Sequence, residues 1–178
     1  MNRSIALAAF TLPGLLTSCG SGMTANDAGK PADWAADACK TFPASAATKA
    51  AGVAVAKVES SGQTGNELTL VSNCTYSTAN GKTNFGVLLR QAKAAAESID
   101  AQIAELKSQP DMTGPSEDVA MPKGKAIWAP RIGTLSYFPD NRRMIAVTPP
   151  GAISLGIAKP SSADLKAKAI AIATAIEG

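Results

Sequence analysis

Apolar positions recur along this chain with different periods, and each period predicts a different element. A mostly apolar run from Ile5 to Leu16, interrupted at Pro13-Gly14, ends at Cys19 and is followed by Gly20-Ser21-Gly22. From Asp33 the spacing turns helical, with Trp34, Ala38 and Phe42 at intervals of four before Pro43. A second short helix is expected from Ala44 to Ala51, stopped by Gly52. Val53, Val55 and Val58 predict a strand, and Ser60 to Gly65 a loop. Glu67 to Thr78 and Thr83 to Gln91 are extended runs joined by Asn80-Gly81, a pair that tolerates the positive φ of a tight hairpin turn. With those two as the loop, Tyr76 opposes Phe85, Cys74 opposes Val87 and Ser72 opposes Leu89. All share a face with Leu70 and Leu68, because side chains alternate with period two. Cys74 then points into the core, where a helix bearing Cys39 has to pack.

The second half repeats the alternation of periods. Lys93 to Gln109 is expected as an amphipathic helix with Ile99, Ile103 and Leu106 in one stripe and Glu97, Asp100 and Glu105 on its polar side, ended by Pro110. A loop, Asp111 to Pro122, follows. Three short strands, Ala126 to Ala129, Thr134 to Phe138 and Met144 to Thr148, come next, the last two joined by the turn Pro139-Asp140-Asn141-Arg142. Ser161 and Asp164 form a capping box for a closing helix to Glu177, with Leu165, Ala169, Ile172 and Ile176 as its buried stripe opposite Lys166 and Lys168. The order is helix, three strands, helix, three strands, helix. Hairpin links imply antiparallel pairing, and single-striped helices need a sheet to cover, so the expected class is α+β, an antiparallel sheet packed against helices.

The first apolar run has a different meaning. Arg3 and the amino terminus give it a positive start, and it is too short to span a bilayer, which takes about 20 apolar residues. Leu16-Thr17-Ser18-Cys19 has the Leu, small, small, Cys form of the bacterial lipoprotein signal-peptidase box and resembles it. That resemblance implies a signal peptide over residues 1–18 and Cys19 as a lipidated mature amino terminus; the small polar composition of 19–32 reads as a flexible tether, and the length of 33–178 as a single domain. Two or three acyl chains hold a protein firmly where one holds it marginally. The tether has a root-mean-square reach of about 20 Å by random-coil scaling. An ordinary secretory signal with a chance cysteine is the alternative.

Cysteine count supports the anchor. Three cysteines leave one unpaired; lipidation of Cys19 employs it, and Cys39 and Cys74 remain as an even pair in an oxidising compartment. A bridge closing a loop of about 36 residues stabilises by roughly 3 to 4 kcal/mol in the chain-entropy model. Two buried free thiols are the alternative.

Composition narrows the function classes. A net charge of +3, with lysines and arginines scattered, argues against a nucleic-acid partner. Aromatic residues are only 4% and alanine is abundant, so the core is expected to be thin and the bridge correspondingly important. There is no histidine, which excludes Ser-His-Asp and Cys-His catalysis and, with no Cys-x-x-Cys, leaves no metal site or cofactor expected. Gly81-Lys82-Thr83 imitates the end of a phosphate-binding loop, but Tyr76 occupies the required glycine position. Asn73-Cys74-Thr75 matches a glycosylation acceptor whose buried central cysteine argues against use.

A broader resemblance runs through the mature chain. Asp37-Ala38-Cys39, Ala47 and Gly52, Asn73-Cys74-Thr75-Tyr76 before a Gly-bearing turn and an aliphatic strand, and Ala126-Ile127-Trp128 before a C-terminal helix resemble small bacterial lipoproteins carrying an actinobacterial-type domain of unknown function. The resemblance implies a lipid-anchored envelope protein with a Cys39 to Cys74 bridge and no established reaction. Some members carry extra cysteines in the second half, where this chain has none.

Two kinds of site remain. Glu59, Glu67, Glu117, Asp118 and Asp140 are candidates for a paired-carboxylate hydrolase, with solvated carboxylates as the other reading. Trp128 beside Arg131, and Tyr137 near Arg142 and Arg143, are candidates for an aromatic-arginine binding edge, with burial of the two aromatics as the other reading. The expected role is a non-catalytic binding or scaffolding function in the cell envelope. The anchor is the N-terminal lipid, an envelope protein is a candidate partner, and an envelope hydrolase or a carrier of a small apolar ligand are the alternatives. By the lipoprotein resemblance, Gly20 rather than Asp after the lipidated cysteine implies the periplasmic face of the outer membrane in a two-membrane cell, and the outer leaflet of the only membrane in a one-membrane cell.

Overall fold

Asp37 caps the first helix and Gly52 ends the second, each by a recognisable local device. In the computed structural model, which describes residues 33–81, 83–94, 96–152 and 161–178, the Asp37 carboxylate accepts hydrogen bonds from the backbone N–H groups of Cys39 and Lys40 at the start of α1 (Ala38–Thr41). Helix α2 (Ala44–Ala51) closes on Gly52 at φ 66°, a left-handed C-cap that suits glycine. The signal, the tether and Cys19 lie outside the described residues.

A seven-stranded antiparallel sheet carries the fold, in the order β1-β2-β3-β7-β6-β5-β4. Its strands are β1 (Lys57–Gly65), β2 (Thr69–Ser77), β3 (Asn84–Ala92), β4 (Glu117–Val119), β5 (Lys125–Ala129), β6 (Thr134–Phe138) and β7 (Arg143–Thr148). The hairpin register is the one its turn and pattern predict: Tyr76 opposes Phe85, Cys74 opposes Val87 and Ser72 opposes Leu89. The turn is wider than two residues, closing with Gly81 N–H to Thr78 O and Thr78 N–H to Thr83 O. It is centred on the same point, so the register is unchanged.

The inner face of the sheet and three helices enclose the main core. Trp34, Ala38, Phe42 and Ala47 from the N-terminal segment, and Leu165, Ala169, Ile172 and Ile176 from α5 (Ser162–Glu177), pack on Tyr76, Val87, Trp128, Tyr137 and Val147. Cys39 and Cys74 form a disulfide with Cα atoms 5.1 Å apart, fastening α1 to β2. Tyr76 donates its hydroxyl hydrogen bond to Phe42 O, stacks on Phe85 and meets Phe42 edge-on. A smaller cluster on the outer face seats α3 (Ile99–Lys107), where Ile103 packs on Ile127 and Phe138 with Ile99 and Leu106 alongside.

Several expectations are corrected. Ser60 to Gly65 is strand, not loop: all nine residues of β1 are exposed, so an edge strand held by its ladder to β2 shows no apolar alternation, and a bulge between Ser60 and Gln63 interrupts it. Val53 and Val55 precede that strand and pack against the core as partly buried residues. The helix expected from Lys93 begins only at Ile99, because Ser98 caps it and the N–H groups of Ala92 and Lys93 are held by Arg142 O and Leu68 O. Pro110 starts the one-turn helix α4 (Pro110–Thr113) as well as following α3, and the expected loop also holds β4. Among the described residues, no helix is long and apolar enough to cross a membrane.

A candidate binding face opposite the main core

Strand alternation sends every second residue of the central strands to the face opposite α1, α2 and α5. Two rows result. Thr75 of β2, Gly86 of β3, Thr148 of β7 and Thr134 of β6 lie side by side in one. Asn73, Leu88, Ala146 and Ser136 form the next. All of these but Ser136 line an open trough of about 380 Å³ crossing four strands, with Gly86, Leu88 and Ala146 as its floor. Adjacent strands are about 4.8 Å apart, so the trough runs for about 14 Å. The Thr134 and Thr148 hydroxyls lie 3.1 Å apart and hydrogen-bond each other. The side chains of Asn73, Thr75 and Asn84 make no hydrogen bond to another described residue, although the first two are half-buried. All of these polar groups are uncharged.

A second groove, about 480 Å³, lies between α3 and the sheet over Leu68, Arg90, Leu106, Phe138 and Met144. Its buried polar group is already engaged: Gln102 donates to the carbonyls of Glu97 and Asn141 and accepts from Arg90 Nη1 at 3.0 Å. This network ties α3 to the sheet.

The residues singled out from sequence are dispersed. Trp128 and Tyr137 are buried at 0% and 2% exposure, so the aromatic-arginine edge does not form. Both point to the inner face, and Trp128 donates its indole N–H to Ser162 Oγ at 3.2 Å. Arg131 is exposed in the β5–β6 turn and donates to Asp111 O. Arg142 donates to the carbonyls of Ala92 and Lys93, fastening the end of β3.

Arg143 has a different environment. It is 3% exposed, with Nε 2.6 Å from Asp140 Oδ2, its two terminal nitrogens 3.1 and 3.3 Å from the Glu177 carboxylate, and its guanidinium 5.4 Å from the centre of the Trp34 ring. Asp140 also accepts from the N–H groups of Arg142 and Arg143, so one carboxylate shapes the turn and holds the cation. Burial, with the charge of Glu177 next in weight, pushes the neighbouring Tyr137 hydroxyl up to about 12. The aromatic-arginine reading puts Arg143 at a surface edge; its position in β7 on the same face as the inward-pointing Ile145 and Val147 is the signal that assigns it to the interior.

Four of the candidate carboxylates are each paired with a different cation. Glu59 pairs with Lys57, Glu117 with Lys166, Asp118 with Lys107 and Asp140 with Arg143, and Glu67 is exposed. Glu117 and Asp118 are adjacent in β4 and therefore point to opposite faces. Among the described residues there is no group of three or more His, Cys, Asp or Glu side chains that could hold a metal ion. No protein-family model, curated protein or solved structure matches this chain.

Proposed function

We propose that this chain is a lipid-anchored protein of the cell envelope whose folded domain binds a partner without transforming it. The observation that carries the binding role is the trough over Gly86, an open concave surface where the side chains of Asn73, Thr75 and Asn84 have no hydrogen-bond partner among the described residues. A polar group that is half removed from water and unpaired is a ready site for a ligand's hydrogen bonds. The trough is open, which suits an external partner better than a small apolar molecule sealed in a cavity. The dispersal of the candidate carboxylates to separate lysines and an arginine supports binding over hydrolysis. The anchor rests on the Leu16-Thr17-Ser18-Cys19 box.

Crosslinking in intact cells followed by mass spectrometry tests both parts. The expected result is a mature chain that begins at a diacylglyceryl-modified Cys19, partitions into detergent and carries crosslinks on the trough strands. Mature protein beginning elsewhere and remaining in the aqueous phase overturns the anchor. Crosslinks spread evenly over the domain overturn the binding face.

A further inference from the structure

Gly86 lies in β3, an interior strand paired on both sides, where glycine is a poor choice. It forfeits more chain entropy on folding than any other residue and gives neighbouring strands no side chain to pack against. Neither usual reason for a glycine applies: its φ is not positive, and a Cβ built on it meets nothing nearer than Cys74 O at 3.8 Å. That Cβ would instead project into the trough, between Thr75 on one side and Thr148 on the other. The missing side chain is therefore space on the ligand side of the sheet.

The lining identifies what the space is for. Backbone N–H and C=O groups of β2, β3, β7 and β6 are used in the ladders, so an extended peptide laid on this face finds no main-chain partners; strand addition takes place at a sheet edge. Hydrogen bonds on offer come from the amides of Asn73 and Asn84 and the hydroxyls of Thr75, Thr134 and Thr148, all neutral, flanking the aliphatic patch of Leu88 and Ala146. Neutral amides and hydroxyls beside an apolar strip match a molecule that has hydroxyls around its rim and C–H groups on its faces. The volume falls within the range of about 300 to 1,000 Å³ usual for ligand sites, and the length suits an oligomer. We propose that this trough binds an uncharged saccharide chain, Gly86 providing the room and Asn73 and Thr75 the first hydrogen bonds. The proposal rests on the reading of the domain as a binding module.

The test uses the full-length chain purified in mild detergent, titrated calorimetrically with four ligands: chitotetraose, cellotetraose, the acidic tetragalacturonate and an uncharged hexapeptide. Binding of at least one neutral oligosaccharide is expected, with hydrogen-exchange protection confined to peptides covering 69–77, 84–92, 134–138 and 143–148. Gly86→Val is expected to weaken that binding at least tenfold with a thermal midpoint no lower than wild type, and Asn73→Ala to weaken it severalfold with the midpoint unchanged. Failure of both neutral sugars, preference for the acidic sugar or the peptide, unaltered binding by both variants, or a lowered midpoint in Gly86→Val each overturns the proposal. Crosslinks confined to the trough strands together with failure of both sugars would overturn the ligand class alone; crosslinks spread over the domain would overturn the binding role itself.

Discussion

Arg143→Ala provides a quantitative test of the interior. The Arg143 side chain is 2% exposed, and its partners Asp140 and Glu177 are 10% and 16% exposed, so removing the cation strands two carboxylates that water reaches poorly. Breaking a buried pair by deleting one partner costs about 3 to 5 kcal/mol, whereas deletion at an exposed pair costs at most about 1. Two features place the expected loss at the lower end of that range. Asp140 keeps the N–H groups of residues 142 and 143, and Glu177 keeps Lys123 at 3.7 Å. A loss of about 3 kcal/mol in a domain of this size lowers the thermal midpoint by roughly 6 to 12 °C. Arg143→Lys keeps the charge but cannot fork to Glu177 while reaching Asp140, and an intermediate loss is expected. Urea denaturation is the appropriate assay, since guanidinium salt screens the charges being measured. A loss below about 1 kcal/mol for Arg143→Ala would refute the reasoning, because the cluster would then behave as a surface pair.

Two further outcomes follow from the same structure. Replacing Cys39 and Cys74 together by serine opens a loop with a sequence separation of 35 and is expected to cost roughly 3 to 4 kcal/mol, read as a lowered urea midpoint that reducing agent does not shift further. Stability is expected to fall in both acid and alkali. Burial raises the Asp37 carboxyl, but the Lys40 and Cys39 N–H groups and the Lys40 ammonium together outweigh it and leave its pKa below the ordinary value. Its stabilising contribution is thus complete above the unfolded-state pKa near 4 and is lost as pH falls through the lowered folded value. Burial raises Tyr76, helped by the Asp37 charge, and raises Tyr137 to about 12. Above pH of about 10 the unfolded chain loses those protons first, and stability declines. Urea midpoints across pH check both limbs; Asp37→Asn should flatten the acid one and Tyr137→Phe part of the alkaline one.

Much of the fold is legible where local pattern and tertiary demand coincide. The Asn80-Gly81 turn and alternation in β2 and β3 fix which residues oppose each other, and Cys39 and Cys74 meet where the helical and strand patterns direct them. Ser161 caps α5 and the Leu165, Ala169, Ile172, Ile176 stripe is buried, because a helix with one apolar stripe has one way to face a sheet. The edge strand β1 is illegible for the converse reason. With both faces in water it needs no apolar alternation, and only the neighbouring strand makes it β structure.

The candidate site divides along the same line. Residue types and spacing along the chain determined the hairpin register and the parity of every strand, and so which residues share a face, since alternation is a local property of an extended backbone. Only the tertiary structure decided that β7 and β6 join the sheet beside β3, and with it that Trp128, Tyr137 and Arg143 are interior while Asn73, Thr75, Gly86 and Thr148 line an open trough. Those four residues come from three strands brought side by side by long-range pairing, and no local period along the chain encodes which strands become neighbours.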